Sequence, residues 1–369
     1  MAALPSKFSG LRSEFPMKNV LILFGGVSSE HEVSCLSAMS VIQNMPQDSY
    51  RMYLLGITKT GEWLLYEGDS ALLEADKWTE AADCLTKAVI SPSRRDHGIL
   101  VFRESGTETI HIDAAFPVLH GKNGEDGTMQ GLLEIAGIPY VGCDTRASAM
   151  CMDKAVTNLV ADSVHIAQAK WMSVTVYEYR QAPEAVAAQA AEKLGLPLFV
   201  KPANAGSSVG ISKVKTVEEF AHAMEIAFRE DSKVVLEEAI DALEIECAVL
   251  GNENPMASVV GGIVPSEEFY TYEAKYISGE SELHIPAKIS DAAQAAVRSA
   301  ALAIFTAMGC KGLSRVDFFL EKGTGRVLFN EINTLPGFTS ISMYSKLMEQ
   351  SGVPYPKLLD RLLKLAQEK

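Results

Sequence analysis

Apolar and polar positions alternate in blocks along the first third of the chain and predict strands separated by helices. Residues 19–24 (NVLILF) are uninterruptedly apolar and end in Gly25-Gly26, a pattern typical of a buried parallel strand. This order indicates an open parallel sheet, in which ligands bind beyond the carboxyl ends of the strands. The polar loops that begin after residues 24 and 118 lie at such ends. The other elements predicted here are strands over 51–58 and 110–118 and helices over 32–44 and 128–136.

The rest of the chain shows a different alternation, with α+β character. Thr216 and Glu219 form a capping box that predicts the start of a helix. Residues 321–325 (EKGTG) form a turn, so the strands on either side of it are expected to pair antiparallel. The elements predicted in this part are helices over 152–161, 183–194, 216–228 and 291–308 and strands over 198–201, 209–214, 233–238, 245–250, 258–264, 313–320 and 326–333.

Two long segments lack a clear pattern. Residues 67–109 are polar and weakly patterned and are predicted to be peripheral. Residues 265–288 are predicted to be a long loop with few turn signals, and loops of that length often serve as lids over active sites.

Composition and charge restrict the possible functions. With 369 residues the chain is long enough for two or three domains. Lysine and arginine number 33 against 47 acidic residues, so the net charge is −14, and no basic run exceeds two residues. A general nucleic-acid-binding role is therefore disfavoured. No apolar run approaches the ~20 residues of a membrane-spanning helix, so a membrane role is not expected either.

The six cysteines are scattered, without a CxxC pair or a Cys/His cluster of zinc spacing, and are predicted to be buried thiols in a reducing compartment. Residues 1–15 contain no apolar core of a secretory signal. We therefore expect a cytoplasmic protein in which residues 1–16 form a flexible extension.

Several familiar motifs are absent from the sequence. It contains neither a Walker loop nor a GxGxxG, and an HExxH fails because Cys35 replaces the second histidine. Residues 206–210 fit GxSxG, but their surroundings do not suit a nucleophile elbow. Residues 201–210 (KPANAGSSVG) instead indicate a phosphate-binding loop with Lys201 at its start; a plain surface hairpin is the alternative.

The two predicted strands near the C-terminus carry metal-ligating side chains at period-two spacing. Arg315 and Asp317 share one face of their strand, as do Glu331 and Asn333 of the next. Antiparallel pairing would bring three oxygen ligands together beside an arginine, which suits Mg²⁺ and a negatively charged transition state. Carboxylates on a solvated edge strand are the alternative. After these strands, the Gly337 N–H and nearby hydroxyls could bind an oxyanion or a carboxylate; otherwise 334–342 is a turn before a helix.

Taken together, seven segments in the same order resemble the D-alanine–D-alanine ligases of the ATP-grasp superfamily over about residues 17–367. They are 24–34 (FGGVSSEHEVS), 120–131 (HGKNGEDGTMQG), 152–154 (MDK), 201–210, 272–276 (YEAKY), 314–317 (SRVD) and 330–340 (NEINTLPGFTS).

The resemblance implies an α/β and α+β, three-domain ATP-grasp fold with an N-terminal Rossmann-like domain. The domains expected are an N-terminal substrate-binding domain over 17–142, a central ATP-grasp domain over 143–240, and a C-terminal ATP-grasp domain over 241–369 that carries the lid and the metal site.

The resemblance also implies the reaction, which belongs to peptidoglycan precursor synthesis. The carboxylate of one D-alanine attacks the γ-phosphate of ATP to form an acyl phosphate, and the amine of a second D-alanine attacks that carbonyl. ATP is a substrate, two Mg²⁺ or Mn²⁺ ions assist, and a homodimer is expected.

Site roles follow from the resemblance. Lys154, Lys201 and Lys275 are expected at the phosphates. Ser208, Glu237, Glu238, Ile240 and Glu244 are expected around the nucleotide, and Asp317, Glu331 and Asn333 at the metal. For the amino acids and the lid, the expected residues are Glu30 at the first ammonium, His120 near its carboxylate, Arg315 and the Gly337 N–H at the oxyanion, Ser340 and Ser342 at the second carboxylate, and Ser207 with Tyr276 tying the lid to Glu30.

Two alternatives stay open. One is a ligase that uses D-serine or D-lactate as its second substrate. Met343, where such relatives often carry arginine, and Tyr276 in the lid both favour D-alanine. The other alternative is a non-catalytic nucleotide-binding regulator, against which the full set of lysines, metal ligands and arginine argues. Ala205 departs from the charged or polar residue of some members, without an expected effect on the chemistry.

Overall fold

The structure, a computed structural model, describes residues 17–264 and 282–368. The predicted extension 1–16, most of the predicted lid, and with it Lys275 and Tyr276, lie outside the described residues. The described chain builds three sheets in sequence order, with helices packed against each.

The first sheet has seven strands in the order β6-β5-β4-β3-β2-β1-β7. β1 pairs parallel with both β2 and β7, whereas β2 to β6 form an antiparallel meander. The predicted parallel sheet is therefore mixed. Its strands are β1 (Lys18–Gly25), β2 (Tyr50–Ile57), β3 (Trp63–Tyr66), β4 (Leu85–Ile90), β5 (Gly98–Arg103), β6 (Gly106–His111) and β7 (Ala114–Pro117), with helices α1 (His31–Asn44), α2 (Ala71–Glu74) and α3 (Thr128–Ala136).

The prediction that 67–109 is peripheral was wrong. This segment contributes β4, β5 and the start of β6, and it buries Trp78 completely. The Trp78 ring packs edge-on against Phe24 at 5.0 Å and Tyr66 at 6.1 Å between centroids. The segment is thus part of the core that supports β1.

The second sheet is antiparallel in the order β10-β9-β11-β8, and α7 and α8 pack against it. The capping box at Thr216 and Glu219 is present at the start of α8, as predicted. The strand predicted over 209–214 is shorter, because 203–211 forms a loop. The elements are β8 (Trp171–Thr175), β9 (Leu198–Pro202), β10 (Ser212–Val214), β11 (Lys233–Glu238), α6 (Val176–Gln181), α7 (Pro183–Leu194) and α8 (Val217–Glu230).

The third sheet is antiparallel in the order β14-β13-β12-β15-β16. The edge strand β14 lies inside the segment 265–288 that was predicted to be a loop, so that prediction was wrong for the three residues of β14. The elements are β12 (Ala242–Gly251), β13 (Met256–Val264), β14 (Glu282–His284), β15 (Gly312–Glu321), β16 (Val327–Asn333), α4 (Thr145–Met152), α5 (Lys154–Ser163), α9 (Asp291–Ala307), α10 (Met343–Gln350) and α11 (Tyr355–Gln367).

One hydrophobic core joins the first and third sheets. Leu358 and Leu362 of α11 are fully buried together with Phe24 of β1 and Leu250 of β12. Because protein interiors are close-packed, this shared core holds the carboxyl edge of β1 at a fixed position relative to β12 and β15. No helix in the described part of the chain is both long enough and apolar enough to cross a membrane.

Candidate active site

Two loops leave the carboxyl edge of the first sheet side by side, because β1 and β7 are parallel neighbours. The loop after β1 carries Glu30 at the start of α1, and the loop after β7 carries His120. The Glu30 side chain does not cap α1; instead its Oε1 accepts a hydrogen bond from Ser207 Oγ at 2.5 Å. His120 is buried, and its Nε2 lies 3.1 Å from Ser37 Oγ. This edge therefore presents a carboxylate and an imidazole, as the sequence predicts.

A row of acidic side chains crosses the third sheet. Strand register places Glu246 of β12 opposite Asp317 of β15, and Asp317 opposite Glu331 of β16. Arg315 and Asn333 face each other one step further along the same pair of strands. The predicted antiparallel pair and its shared face are thus present.

Arg315 binds two of these acids. Its Nε donates to Asp317 Oδ1 at 2.8 Å and its Nη2 to Asp317 Oδ2 at 2.6 Å, and Nε lies 3.1 Å from Glu246 Oε2. Burial alone would lower the pKa of Arg315, but Asp317 and Glu246 raise it well above its ordinary value. The guanidinium therefore stays charged although it is enclosed.

Lys154, the first residue of α5, bridges the second and third sheets. Its Nζ donates to the Ala205 carbonyl at 2.7 Å and lies 3.7 Å from Glu331 Oε2. The Asp153 side chain caps α5 by accepting the N–H groups of Ala155 and Val156, and it pairs with Lys233. These contacts fix the lysine between the loop 203–211 and the acidic row.

The loop 203–211 comes close to Glu30. Ser207 and Ser208 both adopt left-handed backbone conformations, with φ of 50° and 59°. A Cβ at Gly206 would lie 3.3 Å from Glu30 Oε2, so a small residue suits this approach. The loop thus reaches from the second sheet to the first.

A single cleft collects most of these side chains. Gly337 lies in its wall, and a Cβ there would be 2.8 Å from Ser342 Oγ, so glycine is needed for this contact. Ser342 Oγ accepts the Thr339 N–H at 2.9 Å, whereas Ser340 is exposed and does not line the cleft. The lining includes Glu30, His120, Glu125, Lys154, Ala205, Gly206, Ser207, Glu246, Arg315, Glu331, Asn333, Gly337, Ser342 and Met343.

Six of the residues predicted at the phosphates or around the nucleotide do not line this cleft: Lys201, Ser208, Glu237, Glu238, Ile240 and Glu244. Lys201 Nζ donates to Glu237 Oε2 at 2.5 Å, and Asn158 Nδ2 donates to Glu237 Oε1 at 3.3 Å. Glu238 Oε1 accepts the Lys170 N–H at 2.8 Å. The other predicted members are Ser208 in the loop 203–211, Ile240 between β11 and β12, and Glu244 near the start of β12.

The donor chemistry around Asp317 suits a hard divalent cation. Asp317 and Glu331 supply carboxylate oxygens, and Asn333 supplies an amide that donates through Nδ2 to Asp317 Oδ2 at 3.1 Å. Because that nitrogen faces Asp317, the amide oxygen remains available as an acceptor. Three oxygen donors of this kind are what Mg²⁺ and Mn²⁺ prefer.

Two acidic residues of the cleft, Glu246 and Glu125, were not predicted from the sequence. Glu246 is buried beside Arg315; its period-two spacing from Glu244 was the only signal, and its partner strand could not be known. Glu125 lies inside the 120–131 segment and accepts the Gly121 N–H at 2.8 Å. Burial, followed by the charge of Glu30, raises the pKa of Glu125 to about 8.

Burial lowers the pKa of His120 despite the opposing charge of Glu30, so this ring is neutral at neutral pH.

Comparison with known families identifies the chain. The model of the D-ala D-ala ligase N-terminus matches residues 19–143, and that of the D-ala D-ala ligase C-terminus matches residues 160–364. The chain belongs to the D-alanine–D-alanine ligase family. It is therefore a member of a ligase family with the ATP-grasp fold, and membership implies ATP as a substrate and a divalent metal.

Individual relatives agree over nearly the whole length. D-alanine–D-alanine ligase from Caldicellulosiruptor bescii is 49% identical over 351 residues, covering 95% of each chain. The enzyme of that name from Acetivibrio thermocellus is 46% identical over 363 residues, covering 95% of this chain and 96% of the relative.

Solved structures agree as well. The VanG D-Ala:D-Ser ligase from Enterococcus faecalis superposes with a TM-score of 0.87 at 40% identity, over 95% of this chain and 100% of that one. The D-alanine–D-alanine ligase from Coxiella burnetii gives 0.82 at 34% identity, over 95% of both chains.

Proposed function

We propose that this chain joins two D-alanine molecules into D-alanyl-D-alanine, with ATP converted to ADP and phosphate, for the synthesis of peptidoglycan precursors. The observation that carries the proposal is the cleft itself. Its lining includes the carboxylate of Glu30 together with the cationic groups of Lys154 and Arg315, which supports binding of an ammonium group and of phosphate oxygens in one cleft.

The proposed roles begin with the first D-alanine. Its ammonium binds the Glu30 carboxylate, and its carboxylate lies near the neutral His120. That carboxylate attacks the γ-phosphorus, the bond to ADP breaks, and an acyl phosphate forms. Lys154 and Lys201 hold the phosphates, because an ammonium group offsets their charge. Positioning of the two reactants supplies much of the rate.

The second step releases phosphate. The amine of the second D-alanine attacks the acyl carbonyl, and phosphate leaves with one of the original carboxylate oxygens. Arg315 and the Gly337 N–H stabilise the oxyanion that forms. Ser342 lies where it can receive the second carboxylate; Ser340, which is exposed, is assigned this role by the resemblance alone.

Metal ions would be held by Asp317, Glu331 and Asn333, and we propose Mg²⁺ or Mn²⁺, two ions in number. When bound, such ions neutralise the charge of the nucleotide phosphates. Ser208, Glu237, Glu238, Ile240 and Glu244 complete the proposed nucleotide site, with Lys275 as a third lysine at the phosphates. Ser207 and Tyr276 are proposed to tie the lid to Glu30. The homodimer and the cytoplasmic location stay predictions, as do the three domain boundaries.

D-Alanine is the proposed second substrate. Met343 lines the cleft directly after Ser342 and brings no charge to the site that would receive the second substrate. Relatives named for D-alanine ligation share 46–49% of their residues with this chain, so the D-serine and D-lactate alternatives are not favoured.

The test supplies the purified protein with Mg-ATP and D-alanine alone, then with D-alanine plus D-serine or D-lactate, and separates the products by mass. We expect one phosphate released per D-alanyl-D-alanine, and little mixed product at neutral pH. Preferential formation of a mixed product would show that D-serine or D-lactate, and not D-alanine, is the second substrate. Folded protein that binds ATP but releases no phosphate with any of these substrates would contradict ligation altogether.

A further inference from the structure

A cluster beside the active site, in which two of the three side chains are buried, has no part in the proposed reaction. It consists of His31 and Cys35 on the first two turns of α1 and Asp76 in the turn after α2. The sequence contains no Cys/His cluster of ordinary zinc spacing. The third ligand is Asp76, which lies 41 residues after Cys35 in the sequence. His31 and Cys35 are spaced i, i+4, so their side chains lie on one face of the helix.

The distances suit a small tetrahedral ion. The three ligand atoms lie within 4.8 Å of one another. His31 Nε2 is 3.2 Å from Asp76 Oδ1, and Cys35 Sγ is 3.7 Å from the same oxygen. Zinc bonds of ~2.0 Å to nitrogen and oxygen and ~2.3 Å to sulfur put tetrahedral ligands about 3.3 to 3.5 Å apart. Two of the three separations are therefore close to those of a tetrahedral site, and the third is at most 4.8 Å.

The orientation of the His31 ring also favours metal binding. Its Nδ1 lies 2.8 Å from the Gly26 carbonyl, which can only accept, so Nδ1 carries the proton. In the neutral ring Nε2 then presents a lone pair toward the Asp76 carboxylate. Metal-bound histidines are typically fixed in this way, with the second nitrogen donating to a backbone carbonyl. Nε2 and Asp76 Oδ1 face each other at 3.2 Å, and a metal ion between them would bind both.

The surrounding charges balance for a divalent ion. Lys59 lies 2.8 Å from Asp76 Oδ2 and also pairs with Glu32, so Oδ1 is the oxygen that faces the histidine and the thiol. Two carboxylates and a Cys35 thiolate would offset one lysine and one divalent ion. Without an ion, burial raises the pKa of Cys35 and Asp76 adds to that effect, so the thiol keeps its proton. Metal binding would release this proton.

We propose that His31 Nε2, Cys35 Sγ and Asp76 Oδ1 form a binding site for one Zn²⁺ or a similar transition-metal ion, with water as the fourth ligand. The soft thiolate selects such ions over Mg²⁺. Because Glu30 immediately precedes His31, an ion at this position ties the turn that presents Glu30 to the segment after α2. The site is distinct from the oxygen-ligand site of Asp317.

The test uses Co²⁺ as a spectroscopic probe on the full chain, stripped with a chelator and held in excess Mg²⁺. We expect one Co²⁺ per chain with a thiolate-to-cobalt charge-transfer absorption, which Zn²⁺ abolishes by displacement. Zn²⁺ should also raise the thermal midpoint. His31→Gln and Asp76→Asn should each weaken binding at least ~10-fold, and Cys35→Ser should remove the absorption. Cys84→Ser, a half-buried thiol outside the cluster, is the matched control.

Two results would overturn the proposal. One is wild-type protein without thiolate absorption at excess Co²⁺, which would leave a proton between His31 and Asp76. The other is absorption that survives in Cys35→Ser. If Cys35→Ser does not fold, the His31→Gln and Asp76→Asn titrations decide, because unchanged Co²⁺ affinity in both excludes the site.

Discussion

Arg315 keeps its charge inside the cleft because carboxylates surround it. Asp317, Glu246 and Glu331 all raise its pKa, against the effect of burial. Enclosing a charged guanidinium costs free energy of desolvation, and buried ion pairs often contribute little to stability. Stability alone therefore does not explain why an arginine lies here. A preorganised cation facing a developing oxyanion does explain it.

Replacing Arg315 with lysine tests that role. The ammonium cannot form the two parallel bonds that Arg315 makes with Asp317, so we expect it to be misplaced. Turnover should fall by about 10²–10³-fold, the usual loss for one oxyanion donor. Arg326→Lys is the matched control, because Arg326 also makes two bonds to one carboxylate, Glu321, but is exposed. Equal turnover in the two variants would contradict the assignment.

Glu125 gives a pH dependence whose sign is fixed by its environment. Its pKa is raised from 4.5 to about 8, so in the folded protein it holds a proton that the unfolded chain loses. The stability from this group is fully present below about 4.5 and is lost as pH rises through about 8.

We therefore expect the thermal midpoint of the nucleotide-free protein to fall between about pH 5 and 8 more steeply than that of Glu125→Gln. The amide stays neutral over this range and has no proton to lose. Glu104→Gln, at an exposed position, should follow the wild-type curve. Parallel curves for wild type and Glu125→Gln would mean that Glu125 is ionised throughout the range.

At the scale of elements, the loop 203–211 connects two parts of the cleft through one side chain. Ser207 donates to Glu30 at 2.5 Å, and hydrogen bonds to charged groups contribute about 1.5–3 kcal/mol. For Ser207→Ala we expect kcat/KM for D-alanine to fall roughly ten- to a hundredfold. Ser173→Ala, on the exposed side of β8, should not change it. An unchanged kcat/KM in Ser207→Ala would show that the contact has no role in catalysis.

Period-two spacing allowed the sequence to predict the face shared by Arg315, Asp317, Glu331 and Asn333. A short turn joins β15 and β16, so their pairing is a local matter. Glu246 was missed because β12 pairs with β15 across a long separation in sequence, which no local pattern reveals.

The strands within 67–109 escaped prediction for a different reason. Five of the six residues of the edge strand β6 are exposed, so it carries almost no apolar signal. Edge strands of this kind are often polar, because exposed apolar edges promote aggregation. Trp78, a lone aromatic residue in a polar stretch, gave no periodicity from which its complete burial could be read.

At the scale of the whole molecule, the cleft depends on contacts between parts of the chain that lie far apart in sequence. Tyr355 of α11 donates to the Phe338 carbonyl at 2.6 Å, and the Phe338 N–H donates to Ser37 of α1 at 3.3 Å. The family resemblance predicted one site containing Glu30, Lys154 and Arg315, which line the same cleft, but it did not predict these supporting contacts. The shared core of α11 with the first and third sheets could not be read from local pattern, because it joins the two ends of the described chain.

We propose that the cleft makes an acyl phosphate from D-alanine and ATP. The most direct measurement follows oxygen-18 from the carboxylate of labelled D-alanine during ligation, with the released phosphate analysed by mass. We expect one labelled oxygen in each phosphate, because the carboxylate oxygen that attacks phosphorus leaves with it. Dipeptide formation with unlabelled phosphate would contradict the acyl phosphate, since water would then have supplied that oxygen.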